Sequence, residues 1–389
     1  MATPTQTAPS QQAGNGSKKQ QTVALRPFIT GTRRIDQQTY DQTRTLTAST
    51  QRLPTYEFDT DGYVRGVYVL AEITSAGNSA ATAFNQDGAV NAFQTVQFSD
   101  TNNKPIVGPF TGHDLGMVQK YGGYAYSGDP KASALYSATT GTGATGGSAT
   151  FVLRLPIEIR GRDGLGALEN KSASAVYKLD LTLNSIAGLY ATAPTAAPSI
   201  RVRVEQFGWM DSDQADYMKS PADPNPPALN TVQYWDKQTI TVSAGAINQR
   251  LNTFSGLVRN LIFELRDTAG ARTDADFPDP FELHYDKTVP IQRLRQIWQH
   301  QVSEYWGYRG AEAIGTANTL DTGVFPEPYT LDYGLQPGAE SSFGYLPVTS
   351  ATSLVVRGTV GGSGSHTLNV LVNYVWPANG DPKSLTGGR

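Results

Sequence analysis

The sequence predicts an all-β protein made of two consecutive β-sandwiches, and three pairs of matching segments predict it. Tyr63 to Glu72 (YVRGVYVLAE) is echoed by Leu257 to Leu265 (LVRNLIFEL), each around a Val-Arg pair, at an offset of 258 − 64 = 194. Val96 to Ile106 (VQFSDTNNKPI) is echoed by Phe281 to Ile291 (FELHYDKTVPI), at 291 − 106 = 185. Ile200 to Trp209 (IRVRVEQFGW) and Leu368 to Trp376 (LNVLVNYVW) each close a copy on a tryptophan, at 376 − 209 = 167. Order is kept while spacing shrinks, as in a duplication whose first copy has longer loops.

Period-two alternation supports the same class. Phe151, Leu153, Leu155, Ile157 and Ile159 share one side of a strand, with Arg154, Glu158 and Arg160 opposite. Tyr177, Leu179, Leu181 and Leu183 alternate with Lys178, Asp180, Thr182 and Asn184. Ile200, Val202 and Val204 alternate with Arg201, Arg203 and Glu205. One face of such strands meets a core and the other meets water or polar neighbours, as in antiparallel sandwiches.

Each copy also predicts one helix after its second echoed segment. In the second copy Pro290 opens an amphipathic run through Ile291, Leu294, Trp298, Gln301 and Tyr305, with proline at the first helical position. The matching stretch of the first copy, Gly112 to Tyr121, is glycine-rich and a weaker helix former.

Size and composition bound the function. A chain of 389 residues exceeds what one core usually holds. Charged residues are 17% and the net charge is −3, so the basic field that drives nucleic-acid binding is absent and no specific nucleic-acid binding is expected. The absence of cysteine excludes disulfides, thiolate metal sites and a cysteine nucleophile. No apolar run reaches the roughly 18–20 residues of a membrane-spanning helix. The polar N-terminus lacks a signal-peptide pattern, which predicts a soluble chain made in the cytoplasm.

Residues 1–40 are read as a flexible N-terminal arm, because 1–20 (MATPTQTAPSQQAGNGSKKQ) have no apolar periodicity. Lys18, Lys19, Arg33 and Arg34 make it locally basic. The first sandwich is placed at 41–218, a Pro-rich linker at 219–229, the second sandwich at 230–378 and a flexible tail at 379–389. Thr139 to Ser148 and Gly361 to Ser365 (GGSGS) read as unstructured or exposed turns.

No catalytic, cofactor or metal site is expected. His113, His284, His300 and His366 are too scattered for a ligand pair at helical or short-strand spacing, and His300 is read as lacking a His or Glu four residues away. Neither a G-x-S-x-G elbow nor a phosphate-binding glycine loop is present. Glu72 and Glu264 lie on equivalent strands and Glu158 on another, so a glycosidase-like carboxylate pair is weighed, but outward strand positions are where glutamate usually sits. Asp274, Asp276 and Asp279 could gather around calcium yet lack the glycine and terminal glutamate of a calcium loop, and Asp211 and Asp213 are read likewise as solvated. Trp209 and Trp376 read as matching core or domain-junction residues, and Trp298, Tyr305 and Trp306 as packing residues of one helix.

The strand-helix order of both copies, the closing strand before the Pro-rich linker (Val202 to Pro221), and Tyr329 to Gly334 (YTLDYG) ahead of Leu371 to Trp376 carry a resemblance. The chain resembles the double jelly-roll major capsid proteins of tectivirus-like, membrane-containing icosahedral phages, a lineage related to adenovirus hexon. Their C-terminal region has YTLQYG before a terminal aromatic strand. The resemblance spans most of residues 40–377 as a pattern and departs in the loops and in the arm, where Pro4, Pro9 and Gly14 interrupt any long helix.

That resemblance implies two eight-stranded jelly rolls with one short helix in each. It implies a structural protein rather than an enzyme, without cofactors. Pseudo-hexagonal homotrimers would tile an icosahedral virion shell over an internal membrane, after synthesis in the host cytoplasm. Implied partners are the chain itself, neighbouring trimers, penton and minor capsid proteins, and the internal membrane through the arm. The Arg201/Arg203/Glu205 face and the second-copy helix are the candidate contact surfaces. Two other classes stay open: a carbohydrate-binding or carbohydrate-active sandwich, and a viral spike or receptor-binding protein.

Overall fold

The computed structural model describes residues 25–75, 78–124, 128–211, 222–251, 255–306, 322–331, 344–349 and 352–377. Arm residues 1–24, Asp213, residues 219–221 of the linker, residues 332–334 of the hexapeptide and the tail 379–389 lie outside them. The first half contains β1 (Arg34–Thr45), β2 (Gln51–Arg52), β3 (Tyr56–Glu57), β4 (Tyr63–Thr74), β5 (Asn78–Phe84), β6 (Phe93–Ser99) and β7 (Pro105–Phe110). It continues with β8 (Ser137–Ala138), β9 (Gly141–Gly143), β10 (Ala149–Pro156), β11 (Leu168–Glu169), β12 (Lys178–Leu183), β13 (Tyr190–Thr192) and β14 (Ser199–Trp209). The second half contains β15 (Val232–Arg250), β16 (Gly256–Arg266), β17 (Phe281–Tyr285), β18 (Thr288–Arg293), β19 (Val324–Pro328), β20 (Leu346–Val348) and β21 (Leu354–Trp376). Helices α1 (Phe28–Gly31), α2 (Gly112–Tyr121), α3 (Ile186–Leu189) and α4 (Arg295–Trp306) interrupt them.

These strands make two jelly rolls of the same plan. In the first, one sheet runs β1-β14-β4-β10-β8 and the facing one β7-β6-β12-β2, with β11 added to β4 and β3 to β12. In the second, β15 and β21 are long enough to serve both sheets. Val232–Ser243 pair with Ser365–Trp376 beside β16, β19 and β20, and Gly245–Arg250 pair with Val355–Val360 beside β17 and β18. The two rolls meet where β7 joins β15 in parallel, at Val107 and Trp235.

Burial follows from this layering. Along β4 inward positions (Val67, Val69, Ala71, Ile73) are buried and outward Tyr68, Leu70 and Glu72 only half so. Along β16 nearly every position is buried, because the first roll covers the outer face of that strand. A single apolar cluster runs through both rolls. In the second roll it centres on Trp298, whose ring lies 4.9 Å from Phe281 and 5.2 Å from Phe325, and whose Nε1 donates to the Pro326 carbonyl at 3.0 Å. Burying one such side chain is worth about 1.5–3 kcal/mol, and its N–H needs the acceptor it finds.

Several expectations are corrected. β1 begins at Arg34, so residues 34–40 belong to a strand rather than to the arm. Pro290 and Ile291 lie in β18, and α4 starts only at Arg295, because the β17–β18 hairpin claims them first. Gly141–Gly143 form a strand on β5 within a small third sheet, β13-β5-β9. The GGSGS segment is no turn: it sits inside β21, where residues 361–364 bulge against Ala244 as the strand passes between sheets. One-turn helices α1 and α3 add to the single helix expected per roll. The closing tryptophans are one residue out of register. Phe207 pairs with Gly66 and Asn373 with Asn260, so the true offset is 373 − 207 = 166, and Trp209 corresponds to Val375.

Candidate assembly interface

Among the described residues, the carboxylates weighed for chemistry are held in structural contacts. Glu72 pairs with Arg203 at 2.7 Å, and Glu158 accepts from Arg65 and from Trp209 Nε1, both at 2.8 Å. Burial, the largest influence on Glu158, pushes its carboxyl up against the opposing pull of Arg65. Glu264 belongs to a third set of partners, below. Asp274 accepts from Gly323 N at 2.6 Å, Asp276 lies 3.2 Å from His366 Nε2, and Asp279 accepts from Arg295 N at 3.2 Å, at the start of α4. Asp211 pairs with Lys171 at 2.7 Å. Among the described residues no group of three or more metal-ligating side chains converges.

Three single readings fail. His300 does have an acidic partner four residues on, Glu304 at 3.3 Å, though both are exposed and such a pair weighs little. Trp376 is 38% exposed and Tyr305 62%, so neither is a core residue. Trp209 is half-buried under the Arg65 guanidinium, 3.9 Å from the ring centre.

The strongest polar constellation lies where the first roll meets the second, and α2 builds it. Thr111 Oγ1 accepts from Asp114 N at 3.1 Å while Asp114 accepts from Thr111 N at 2.9 Å, a capping box that the T-x-x-D spelling announces. Asp114 also takes Lys237 of β15 at 2.8 Å. One residue earlier, His113 Nε2 lies 3.0 Å from Glu264 of β16. Glu264 further accepts from Arg266 Nε at 2.6 Å and Asn369 Nδ2 at 2.8 Å. Asp87, on the first roll, binds Arg266 at 3.1 Å and Arg272 at 3.2 Å.

Burial alone would raise both carboxyl groups. For Asp87 it is outweighed by His113, Arg266 and Arg272, which bring the group down to about 2. Arg266 and His113 likewise hold Glu264 well below the ordinary carboxylate range. Both acids are thus anionic members of a buried set, where deleting one partner typically costs about 3–5 kcal/mol.

The C-terminal end of α2 is tied to the same roll. Arg259 donates to the Gly122 carbonyl and, at 2.8 Å, to that of Gly123, with its guanidinium 4.6 Å from the Tyr124 ring centre. Asn260 Nδ2 donates to the Tyr121 carbonyl at 2.6 Å. These donors satisfy carbonyls that a helix end leaves open, and the cation suits the dipole. Beyond them Trp235 Nε1 donates to Tyr124 Oη at 2.7 Å, Tyr124 donates to Gln233 at 2.9 Å, and Gln233 donates to the Ile157 carbonyl at 2.8 Å.

The equivalent surfaces elsewhere are open. Nearly all of α2 is buried, whereas α4 buries only Trp298 and Val302. Leu294, Ile297 and Tyr305 are 51, 53 and 62% exposed. On the first roll, the outer face that corresponds to the covered face of the second carries a groove of about 280 Å³ lined by Gln38, Tyr68, Leu70, Val152, Arg203 and Glu205. Two of the residues expected at a contact, Arg203 and Glu205, line this groove, while Arg201 pairs with Asp41 at the exposed edge of the same sheet.

No family model matches this chain, and no curated protein does. Solved structures do. The major capsid protein of Sulfolobus turreted icosahedral virus superposes with a TM-score of 0.59 at 14% identity, over 89% of this chain and 98% of that one. The major capsid protein P2 of bacteriophage PM2 gives 0.52 at 9% identity, over 90% and 100%. VP54 of PBCV-1 gives 0.54 at 9%, over 88% and 94%. The chain has the double jelly-roll fold of these proteins.

Proposed function

We propose that this chain is a major capsid protein, a structural subunit that assembles with copies of itself into the shell of an icosahedral virion. One observation carries the reading: both rolls together, rather than either alone, match capsid chains over nearly their whole length. A sandwich built for catalysis or sugar binding needs only one such unit and a cleft, whereas a shell subunit uses the duplication itself. Two similar rolls per chain let three identical chains present six similar edges, and a homotrimer of pseudo-hexagonal outline is the assembly we assign. In the shell its neighbours would be further trimers, penton and minor capsid proteins. The low-complexity segment 1–20 with its basic end, outside the described residues, would contact an internal membrane or an adjacent subunit.

Native mass measurement of the purified full-length chain, with negative-stain imaging of the same sample, tests this. A species near 125 kDa, three times the 41.8 kDa chain, with a hexagonal outline is expected. A monomer across a wide concentration range would overturn the reading.

A further inference from the structure

We infer that the exposed face of α4 docks on the outer face of the β1-β14-β4-β10 sheet of a second copy of this chain. The contact repeats between chains what α2 and the second roll do inside one chain. It rests on the self-assembling reading above and specifies the surfaces that reading requires.

The two helices can be aligned on their first turn. Leu115 N donates to the Thr111 carbonyl at 3.0 Å, and Trp298 N to the Leu294 carbonyl at 3.0 Å. Leu115 and Trp298 then coincide, both buried in their own roll, and His113 and Asp114 coincide with Gln296 and Ile297. The first two are the residues that bind the second roll; the other two are exposed.

The receiving faces can be aligned independently, on a shared irregularity. Register skips Arg65 between Val64 and Gly66, and it skips Arg259 between Val258 and Asn260. Fixing that bulge sets Leu70 where Glu264 is, and Gln38 where Lys237 is. The internal contacts His113–Glu264 and Asp114–Lys237 therefore translate into Gln296–Leu70 and Ile297–Gln38 of the next copy.

The chemistry changes on both sides together. Where the buried junction sets His113 and Asp114 against Glu264 and Lys237, the open helix offers Gln296 and Ile297, and the open sheet offers Leu70 and Gln38, with Tyr68, Val152, Arg203 and Glu205 beside them. Gln296 and Ile297 suit Leu70 and Gln38 as His113 and Asp114 suit Glu264 and Lys237. Such exposed apolar residues, grouped on one helix, mark a contact surface. Among the described residues, each chain carries an open helix on its second roll and an open face on its first. These are the two halves of one head-to-tail interface, which closes into a ring when the rotation per chain divides a full turn. A second copy is therefore the occupant, since it alone supplies the matching half.

The chain has no cysteine, so paired substitutions report the contact directly. Gln296→Cys with Leu70→Cys, and separately Ile297→Cys with Gln38→Cys, would be treated with a short bis-maleimide and run on a denaturing gel, alongside native mass. Covalent dimers and trimers from both pairs, and monomer from each single-cysteine chain, are expected. An oligomer of parental mass that neither pair cross-links would overturn this interface while leaving self-assembly intact. A parental chain that stays monomeric would overturn the functional reading itself. Ile297→Asp provides the independent measurement: self-association weakened at least tenfold with an unchanged far-UV spectrum is expected, and parental self-association would also overturn the inference.

Discussion

Arg65 and Arg259 occupy the same bulge in the two rolls, yet they bind opposite ways. Arg65 turns into its own roll, against Glu158 at 2.8 Å and the Trp209 ring. Arg259 crosses to the other roll and takes the carbonyls of Gly122 and Gly123 at the end of α2. One duplicated arginine has become an internal ion-pair residue in one copy and a clasp between domains in the other. The bulge frees both side chains from the ladder, and what faces each sheet decides which role it takes.

Substitution should separate the two roles. Arg65→Ala leaves the buried Glu158 without its cation and should cost about 3–5 kcal/mol, most of it recovered in Arg65→Ala/Glu158→Gln. Arg259→Ala strands two carbonyls and should cost about 2–4 kcal/mol, with no single second substitution to restore it. Urea midpoints of the four chains measure this. Equal losses without rescue by Glu158→Gln would refute the assignment.

The start of α2 should be sensitive in a graded way. Thr111→Ala removes one cap acceptor and should cost about 1 kcal/mol, while Thr111→Ser should be nearly neutral. Asp114→Ala removes a cap and the partner of Lys237, and should cost about 3 kcal/mol. A thermal melt of these variants would contradict the account if Asp114→Ala were no worse than Thr111→Ala.

The crossing of β21 between sheets depends on backbone freedom. Gly358 has φ +150°, and a Cβ there would lie 2.6 Å from Pro278 Cβ and 2.7 Å from the Pro280 carbonyl oxygen. Gly245, at φ +106° on the partner strand, has open space around it. Gly358→Ala should therefore destabilise by about 2 kcal/mol or more, and Gly245→Ala only by its φ strain, about 1 kcal/mol. Denaturation midpoints in the reverse order would show that the bend is not limited by this packing.

How much of this could be read from the sequence depends on how local each signal is. The Val64–Arg65 and Val258–Arg259 echo is legible because both copies place the same residue pair at the bulge, which makes the duplication and the fold visible. The start of α4 is not, because proline's fixed φ suits an edge strand as well as a first helical turn, and only the pairing of Leu283 with Ile291 decides between them. Alternation predicts the outward-facing Glu264, but it cannot say that the outer face is itself covered. Of the four residues around Glu264, Arg266 and Arg272 come from the same roll, and Asp87 and His113 reach them only through the docking of two rolls. Local spelling carries no trace of such a contact.

That junction should give the protein its acid sensitivity. Asp87 is brought from an ordinary 3.8 to about 2, so the folded state binds its proton more weakly than the unfolded chain does. The stabilisation is complete above pH 4 and is lost as pH falls from about 4 to about 2, worth about 2 kcal/mol by linkage. Glu264, shifted the same way, adds to the loss over the acid range. Asp87→Asn should therefore be less stable than the parent at pH 7 and lose less between pH 4 and pH 2, so that the two chains converge in acid. Melting temperatures at pH 7, 4 and 2.5 measure the convergence. Parallel curves over that range would mean that the junction is not where acid acts.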